Sequence, residues 1–402
     1  MMKHPKDWKV LRLAEAAEVI DCKHKTPRFT SNGVPIMSTG DIAWGNLNLN
    51  DCRFVTEADY NELMDHCTVE VGDVVMSRNQ SVGVGAFVDV ARPFALGQDM
   101  VLIKPLCKHK RYLYHFLESD IFQRHLSRAS GGSTFSRINL GALRELPVVM
   151  PNDTEQKGIS DILAHADYAI DRYGILLAAK LQRKQGLMQQ LLTGQTRFRA
   201  FKSERWRKVR VSDVFEQVTR RNSTGCVRVL TGSGEHGLID QRDYYSRRVA
   251  SDDVSGYYLV KRGEFAYNRS SSNGYPFGAI KRLDAYDEGV LSTLYLVFRI
   301  RDRVAVDSNF LDHTFEGGFF IAQLGRLCRE GARSHGLLNI TADEFFSMHM
   351  QLPSVAEQQR IEAVLSACDE EIKLLKKQLE ALKEQKRGLM QKLLTGEVRV
   401  KV

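Results

Sequence analysis

One long segment occurs twice in this chain, and this repeat constrains the fold more than any other feature. The segment that starts at Pro353 reads PSVAEQQRIEAVLSACDEEIKLLKKQLEALKEQKRGLMQKLLTG, and its copy starts at Pro151, 202 residues earlier, without a gap. Both copies carry a Glu-Gln pair near the start, and GLMQQLLTG in the first matches GLMQKLLTG in the second. The second copy predicts one long helix, with Ser354 and Glu357 forming a capping box and Gly396 providing a left-handed stop.

Apolar residues recur in both copies at alternating steps of four and three, which is typical of a coiled-coil seam. In the second copy the seam consists of Ile361, Leu365, Cys368, Ile372, Leu375, Leu379, Leu382, Lys386, Leu389 and Leu393. In the first it consists of Ile159, Leu163, Ala166, Ile170, Tyr173, Leu177, Lys180, Lys184, Leu187 and Leu191. A lone helix cannot bury such a stripe, so we expect each copy to pack against the other.

The two helices alternate with two globular regions of similar outline. We predict a first globular domain at residues 1–150, a spacer helix at 151–197, a second domain at 198–352 and a second spacer helix at 353–402. Within the domains, VEVGDVVMSRN resembles VKRGEFAYNRS, and both domains open with Trp, a basic residue and Val. The skeleton agrees while the surface residues differ, as expected of two recognition modules held by one frame.

The fold class that we predict is α+β, with two mixed α/β domains joined by two long antiparallel coiled-coil helices in a pseudo-twofold internal repeat. Strands are expected at 34–37, 73–76, 100–105 and in LSTLYLVFRI, and helical regions at 108–129 and 308–329. The helices run antiparallel if each domain enters and leaves near the same end of its helix. About 38 helical residues at ~1.5 Å each span roughly 57 Å, enough to set two modules on one face of a DNA duplex, whose turns recur every ~34 Å.

Composition narrows the class of partner. The net charge of +8 favours a polyanion, although charge alone does not decide between a nucleic-acid binder and an ordinary basic protein. No apolar run is long enough for a membrane span, and the N-terminus has no signal core, so we expect a soluble, cytoplasmic protein. The seven cysteines form no CxxC pair, so neither a disulfide framework nor a metal site is expected.

The familiar catalytic motifs are absent from the sequence. There is no Gly-Lys dipeptide and hence no P-loop, no Pro-Pro pair of the kind that amino-methyltransferases use, and no HExxH or GxSxG. GSGEHG at 232–237 matches a dinucleotide-binding pattern, but no apolar helix follows it. We therefore expect a non-catalytic reader. Two other classes stay open: an enzyme with an unrecognised nuclease or methyltransferase site, and a scaffold for cargo other than DNA.

Short polar and basic loops with glycine are the candidate DNA contacts, because Arg and Asn pair with base edges while Ser holds phosphates. Two such loops follow equivalent predicted strands, and their candidate residues are Ser77, Arg78, Asn79 and Gln80, and Asn268, Arg269, Ser270, Ser271 and Asn273. A second pair of loops precedes the helices and contains Ser133, Thr134 and Arg137, and Arg333, Ser334 and His335. The alternatives are solvated turns for the first pair and stiffening of the joint with the helix for the second, a role that Asn139 and Asn339 favour.

Two features inside the helices are unusual for a coiled coil. Lys184 and Lys386 lie on the seam, where they either fix the register or sit in a frayed end and help the helix dipole. Gly186 and Gly388 each cost about 1 kcal/mol relative to Ala. Close approach to the other helix or to a docked subunit would explain both glycines.

This pattern resembles the specificity subunits of type I restriction-modification systems. The resemblance covers the whole chain and is carried by two variable halves, each followed by a helix that starts Pro-x-x-x-Glu-Gln and ends LMQxLLTG. The weaker seam of the first helix, with Lys180 next to Lys184 on it, departs from the pattern. It leaves open whether this stretch contacts its twin or a partner subunit.

The resemblance implies a division of labour among several proteins. Each globular half would be a target-recognition domain that reads half of a bipartite site in double-stranded DNA. The helices would set the spacer and dock two methyltransferase subunits, with Gly186, Gly388 and the seam as the docking residues. S-adenosylmethionine, ATP and Mg would belong to those subunits and to the restriction/translocase subunits, and this chain would hold no cofactor.

Overall fold

The computed structural model describes residues 4–130, 137–233, 237–244, 253–271, 274–327, 329–330 and 338–400. The chain divides into two compact units, one formed by Met1–Leu176 with Leu375–Val402 and the other by Leu177–Leu374. Each unit therefore combines a globular domain with the first part of the helix that follows it and the last part of the other helix. Within the described residues, no helix is long and apolar enough to cross a membrane.

The first domain and the helix after it contain the following elements, in chain order. They are β1 (Lys9–Arg12), α1 (Leu13–Ala16), β2 (Ala17–Asp21), β3 (Phe29–Thr30), β4 (Val34–Met37), β5 (Gly45–Asn46), β6 (Arg53–Val55), α2 (Glu57–Met64), β7 (Val74–Ser77), β8 (Gly85–Phe87), β9 (Ala95–Leu96), β10 (Met100–Pro105), α3 (Lys110–Glu118), α4 (Asp120–Ala129), α5 (Leu140–Arg144), β11 (Pro147–Met150) and α6 (Asp153–Leu192).

The second domain repeats this order with variations. After a short 3-10 turn (Arg199–Phe201) come β12 (Arg207–Arg210), α7 (Val211–Val214), β13 (Phe215–Gln217), β14 (Leu230–Ser233), β15 (Gly237–Asp240), α8 (Gln241–Tyr244), β16 (Tyr258–Lys261), β17 (Phe265–Asn268), β18 (Ala279–Arg282), β19 (Glu288–Leu291), β20 (Leu296–Ile300), α9 (Ser308–Glu316), α10 (Ile321–Leu327), β21 (Arg329–Glu330), β22 (Leu338–Asn339), α11 (Ala342–Ser347), β23 (His349–Leu352) and α12 (Val355–Leu394).

The main sheets of the two domains share four corresponding strands, and the first sheet has a fifth strand, β5. The first has the order β2-β10-β7-β8-β5 and the second β13-β20-β17-β18. Side chains along a strand point alternately to opposite faces, so the buried strand β10 contributes to two cores. Val101 packs in the core that contains the helices, and Leu102 packs in the core on the other face of the sheet. Phe265 and Ala266 of β17 divide in the same way. The α+β class with an internal repeat and two long helices is confirmed.

The ends of the long helices are part of these cores. In the first unit, α6 residues near Ile159 share a core with α12 residues near Leu393. In the second, Leu191 shares a core with Ile361. The start of one helix thus meets the end of the other within each unit, which is the antiparallel pairing expected from the order of domains and helices. All predicted seam residues of both helices are buried or half-buried.

Three sequence expectations were wrong in detail. The stretch 108–129 is two helices because Ser119 is extended and its hydroxyl caps α4, accepting from Phe122 N. The stretch 308–329 is broken after α9 at Gly317–Gly318, where Gly318 has a φ of +73°. LSTLYLVFRI contains a turn closed by Tyr295 N and Ser292 O (3.0 Å), so it spans the end of β19 and all of β20.

A buried glutamate at the start of each long helix binds a tryptophan and an arginine. In the first unit, Trp8 Nε1 and Arg399 Nη2 donate to Glu155 Oε2 at 3.0 and 2.9 Å. In the second, Trp206 Nε1 donates to Glu357 Oε2 at 2.9 Å and Arg197 Nε to Glu357 Oε1 at 2.8 Å. Each arginine follows the end of the other helix, so this contact ties the two helices and the domain opening together.

These contacts explain the repeated Glu-Gln pair. The glutamine that follows each glutamate binds the proline before the helix. Gln358 Nε2 donates to Pro353 O (2.9 Å), and the corresponding glutamine of α6 donates to the corresponding proline. The capping box expected of Ser354 and Glu357 is replaced, since the Glu357 carboxylate accepts from the arginine and tryptophan instead. Both helices end near a left-handed glycine, Gly396 in α12 (φ +68°), as predicted.

We expect Glu357→Gln to destabilise the second unit by about 3 kcal/mol, because a buried arginine–carboxylate contact loses its negative charge. Glu155→Gln should destabilise the first unit in the same direction. Urea unfolding of the full chain followed by tryptophan fluorescence measures both effects. Glu380→Gln, on the exposed part of α12, is the matched control and should change stability by less than about 0.5 kcal/mol. Equal unfolding midpoints for all three variants would contradict this account.

Candidate nucleic-acid interface

The loop after β7 is compact and mostly buried. Ser77 is fully buried, and its hydroxyl donates to Asn79 O (2.7 Å). Asn79 is half-buried, and only Gln80 of the four candidates is exposed. The loop therefore presents one of its predicted DNA contacts to solvent and uses the others to hold its own shape.

Arg78 was predicted to contact bases, and the structure contradicts this role. Its side chain is 4% exposed, and its Nη2 donates to Asp21 Oδ1 at 2.6 Å. Asp21 is half-buried, so the buried member of this ion pair is the arginine. Arg78 therefore joins the loop to the end of β2.

Arg269, the counterpart of Arg78, was also expected to contact bases, but it too has a structural role. Its guanidinium donates to three main-chain carbonyls, Leu294 O (2.7 Å), Ile340 O (3.2 Å) and Thr293 O (3.3 Å). These bonds use three of the five guanidinium donors. Arg269 is half-buried, and its contact with DNA stays a prediction.

Both loops are attached to the segment that leads into the following helix. Ile138 N donates to Arg78 O (3.0 Å), and Leu338 N donates to Arg269 O (2.8 Å). The equivalent placement of the two loops, predicted from sequence, is therefore confirmed. Asn139 caps α5 through Ala142 N (2.7 Å), in agreement with the structural role expected for it.

Arg137 belongs to the same assembly as the loop after β7. Its Nη2 lies 2.7 Å from Asp99 Oδ1, and Asn79 Nδ2 donates to Asp99 Oδ2 at 3.0 Å. The side chain of Arg137 is still 53% exposed, so it stays a candidate for a phosphate contact.

The remaining candidates lie in the second domain or outside the described residues. Asn268 ends β17 and is half-buried, as is Ser270, while Ser271 is exposed. The predicted residues outside the described part of the chain are Ser133, Thr134, Asn273, Arg333, Ser334 and His335.

The seam lysines do not lie at frayed ends. Lys386 is buried, and its Nζ lies 2.6 Å from both Glu118 oxygens and 2.7 Å from Asp167 Oδ1. His115, fully buried, places Nδ1 3.6 Å from Glu118 Oε2 and 3.8 Å from Asp167 Oδ2. Lys386 of α12 is thus bound by Glu118 of the first domain and by Asp167 of α6.

The second unit repeats this cluster. Lys184 Nζ lies 2.5 Å from Asp369 Oδ1 and 3.1 Å from Glu316 Oε2, with His313 Nδ1 3.9 Å from Asp369 Oδ2. Lys180 also pairs with its twin helix, 2.5 Å from Glu371 Oε1. The weak part of the first seam therefore contacts the other helix through ion pairs.

Burial and charge shift the pKa values of these groups in opposite directions. Burial lowers the pKa of His115 and of His313 below the ordinary value. Burial also opposes the charged forms of Glu118 and Lys184. The nearby opposite charges outweigh it, so the pKa of Glu118 is lowered and that of Lys184 is raised.

Two groups of side chains have the composition of a metal site: Asp21, Cys22 and His24, and the acids and histidine around Lys184. In each group a basic side chain already pairs with a carboxylate, Arg78 in the first and Lys184 in the second. A metal ion would have to displace that cation.

The helix glycines were expected to permit close approach to the other helix, and this expectation was wrong. A Cβ placed on Gly186 or on Gly388 meets nothing within 4 Å among the described residues. Both positions are exposed. The other expectation, close approach of a docked subunit, stays a prediction.

Comparisons with known proteins agree with this architecture. Residues 5–178 match the family model of the type I restriction modification DNA specificity domain. The putative type I restriction enzyme MjaX specificity subunit of Methanocaldococcus jannaschii is 23% identical over 427 positions, which cover 99% of this chain and 95% of the relative. Along its whole length the chain is therefore similar to a type I restriction enzyme specificity subunit, and its residues 5–178 match the DNA specificity domain.

A second relative and two solved structures are also similar to this chain. The MjaVIII specificity subunit of the same organism is 25% identical over 201 residues, so this match spans about half of each protein, 48% of this chain and 47% of the relative. The S subunit from M. genitalium has a TM-score of 0.57 at 14% identity and covers 98% of this chain and 99% of its own. A chain from a structure on complex assembly and conformational transition of the type I R-M system has a TM-score of 0.52 at 12% identity, covering 98% and 100%. These structures share the fold.

Sequence reasoning missed the acids that bind the seam lysines and the histidines that lie beside those acids. A signal was present, because HFLE at 115–118 and HTFE at 313–316 occupy matching places in the two domains. Asp167 and Asp369 also recur at the helix offset of 202 residues. Reading the repeat for polar residues as well as apolar ones would have found the cluster.

We expect acidification from pH 7.5 to 5.5 to destabilise the subunit. The pKa values of His115 and His313 are lowered in the folded chain, so below about pH 6.5 the unfolded chain binds more protons than the folded chain. The free energy of unfolding therefore decreases as the pH decreases. The slope is at most about 1.4 kcal/mol per pH unit for each histidine. Urea titrations at several pH values measure it.

The matched variants for this experiment are His115→Gln, His313→Gln and, on the exposed face of α6, His165→Gln. Each of the first two should remove part of the slope between pH 7.5 and 5.5, and the third should leave the slope as in the wild type. An unchanged slope in the double variant of the two buried histidines would refute the assignment.

Proposed function

We propose that this specificity subunit reads an asymmetric DNA site in two halves, with one half read by each globular domain. The observation that carries the proposal is a duplicated frame with different exposed loops. Arg78 and Arg269 lie in equivalent loops. The main-chain carbonyl and the guanidinium of each arginine form hydrogen bonds that attach its loop to the rest of the domain. The exposed residues that follow them differ: Gln80 in the first domain and Ser271 in the second. Different side chains on one scaffold suit two different half-sites.

The long helices would set the spacing between the half-sites. Each of them has 40 residues and belongs to both compact units. The glutamate and lysine contacts fix where each unit holds each helix. The length of the spacer in the DNA would then follow from the number of helical turns between these contacts.

We further propose that two methyltransferase subunits dock on the helices. Gly186 and Gly388 support this, because both are exposed at equivalent positions and nothing described within the chain requires a glycine there. Each lowers helix stability by about 1 kcal/mol relative to Ala. A partner that approaches both backbones closely would account for two such costs.

The remaining partners and cofactors follow the same proposal. Restriction/translocase subunits would join the complex, with S-adenosylmethionine, ATP and Mg bound by the partner subunits. A chain that reads double-stranded DNA in this way would work in the cytoplasm.

Inserting one heptad into both helices, between residues 176 and 177 and between 374 and 375, should lengthen the DNA spacer by about three base pairs. Seven residues add ~10.5 Å of helix, and base pairs are ~3.4 Å apart. The measurement is the motif obtained by mapping methylated adenines in cells that carry the subunit with its methyltransferase and restriction partners.

The control is the same insertion in one helix only. The glutamate and lysine contacts of the two units then require different helix registers, so the subunit should lose stability and its motif. A doubly extended subunit that still methylates the wild-type motif would disprove the spacer role. A wild-type motif without two separated parts would disprove reading in two halves.

A further inference from the structure

Backbone strain is concentrated beside the loop after β7. Among the described residues, three other than glycine have a positive φ: Gln80 (59°), Asp99 (65°) and Arg303 (92°). The first two meet in one network, because Asn79 precedes Gln80 and its Nδ2 donates to Asp99 Oδ2 (3.0 Å). Conformations of this kind cost free energy, persist only where surrounding contacts hold them, and cluster at functional sites.

The loop backbone is held by its own hydrogen bonds. Gly83 N donates to Ser77 O (2.8 Å), Gln80 N donates to Asn79 Oδ1 (2.8 Å), and Arg78 N donates to Asp99 O (2.8 Å). The loop is therefore rigid. The exposed group that it displays is the side chain of Gln80.

The Gln80 carboxamide accepts one hydrogen bond at its oxygen. Thr39 Oγ1 donates to Gln80 Oε1 at 3.2 Å. Its NH2 group has no hydrogen-bond partner among the described residues, and Oε1 keeps a second lone pair. A donor and an acceptor side by side match the N7 and N6 edge of adenine in the major groove, which glutamine binds with two hydrogen bonds.

An ordinary turn does not account for this residue. A turn position with a positive φ favours Gly, Asn or Asp, whose backbones reach it at lower cost. Glutamine adds no advantage there, unless its longer side chain is used. The neighbouring Arg78 is buried on Asp21 and cannot take over the base contact.

We infer that Gln80 is a specificity-determining residue of the first domain, pairing with an adenine in one half-site, and that Thr39 is its positioning residue. The inference rests on the proposed reading in two halves and adds the base and the side chain. The second domain has Ser271, with a much shorter side chain, at the corresponding place.

The test is selection of randomised duplex DNA by the full-length subunit bound to its methyltransferase partners, followed by sequencing. Gln80→Gly is the informative variant, because glycine adopts a φ of +59° without strain. It should lose the preference for adenine at one position of one half-site by about 5- to 150-fold. The other positions and the second half-site should keep their preferences.

Three further variants sharpen the result. Thr39→Val should weaken discrimination at the same position, and Thr39→Ser, which keeps the hydroxyl, should restore it. Ser271→Ala is the matched control in the second domain and should leave the Gln80 position unchanged. An intact adenine preference in Gln80→Gly, or a uniform loss of affinity for all sequences, would overturn the inference while leaving the proposed function in place. A wild-type selection without a two-part motif would overturn the proposed function and this inference together.

Discussion

The buried glutamate at the start of each long helix is the contact on which each unit depends. A carboxylate taken out of water is strongly unfavourable unless charged and polar partners surround it. Glu357 is fully buried, and its partners come from the opening of its own unit's domain, Trp206, and from the end of the other helix, Arg197. Burial of the glutamate is therefore favourable only when the domain opening and the end of the other helix both contact it.

The glutamate contacts hold the helices and the domain openings together, so the exposed loops of the two domains can differ in sequence. The lysine clusters also join a domain to both helices. In the first unit, Lys386 of α12 binds Glu118 of the first domain and Asp167 of α6. None of the described contacts of these buried groups involves the exposed loop residues Gln80 and Ser271. The proposed reading of two different half-sites would need this separation between a constant support and variable contacts.

The candidate site shows where sequence reasoning reached its limit. Polar loops in matching places were predicted correctly, but the arginines in them serve the support. Arg78 is buried because Asp21, 57 positions away, lies beside it in the folded domain. Gln80 is exposed because the bonds of its neighbours turn its backbone into the left-handed region. Neither fact is visible from composition, since polar side chains such as Arg and Gln can either bind other parts of the protein or contact DNA.

The sequence by itself determined the repeat, the two long helices with their seam and glycine stops, and the class of protein. These features are local or periodic, so residues a few positions apart specify them. Only the tertiary structure decided what binds the seam lysines, that Gly186 and Gly388 face open space, and which loop side chain is available to DNA. The physical reason is that burial and hydrogen-bond partners depend on residues distant in sequence, and a buried charge selects its partner by position in space.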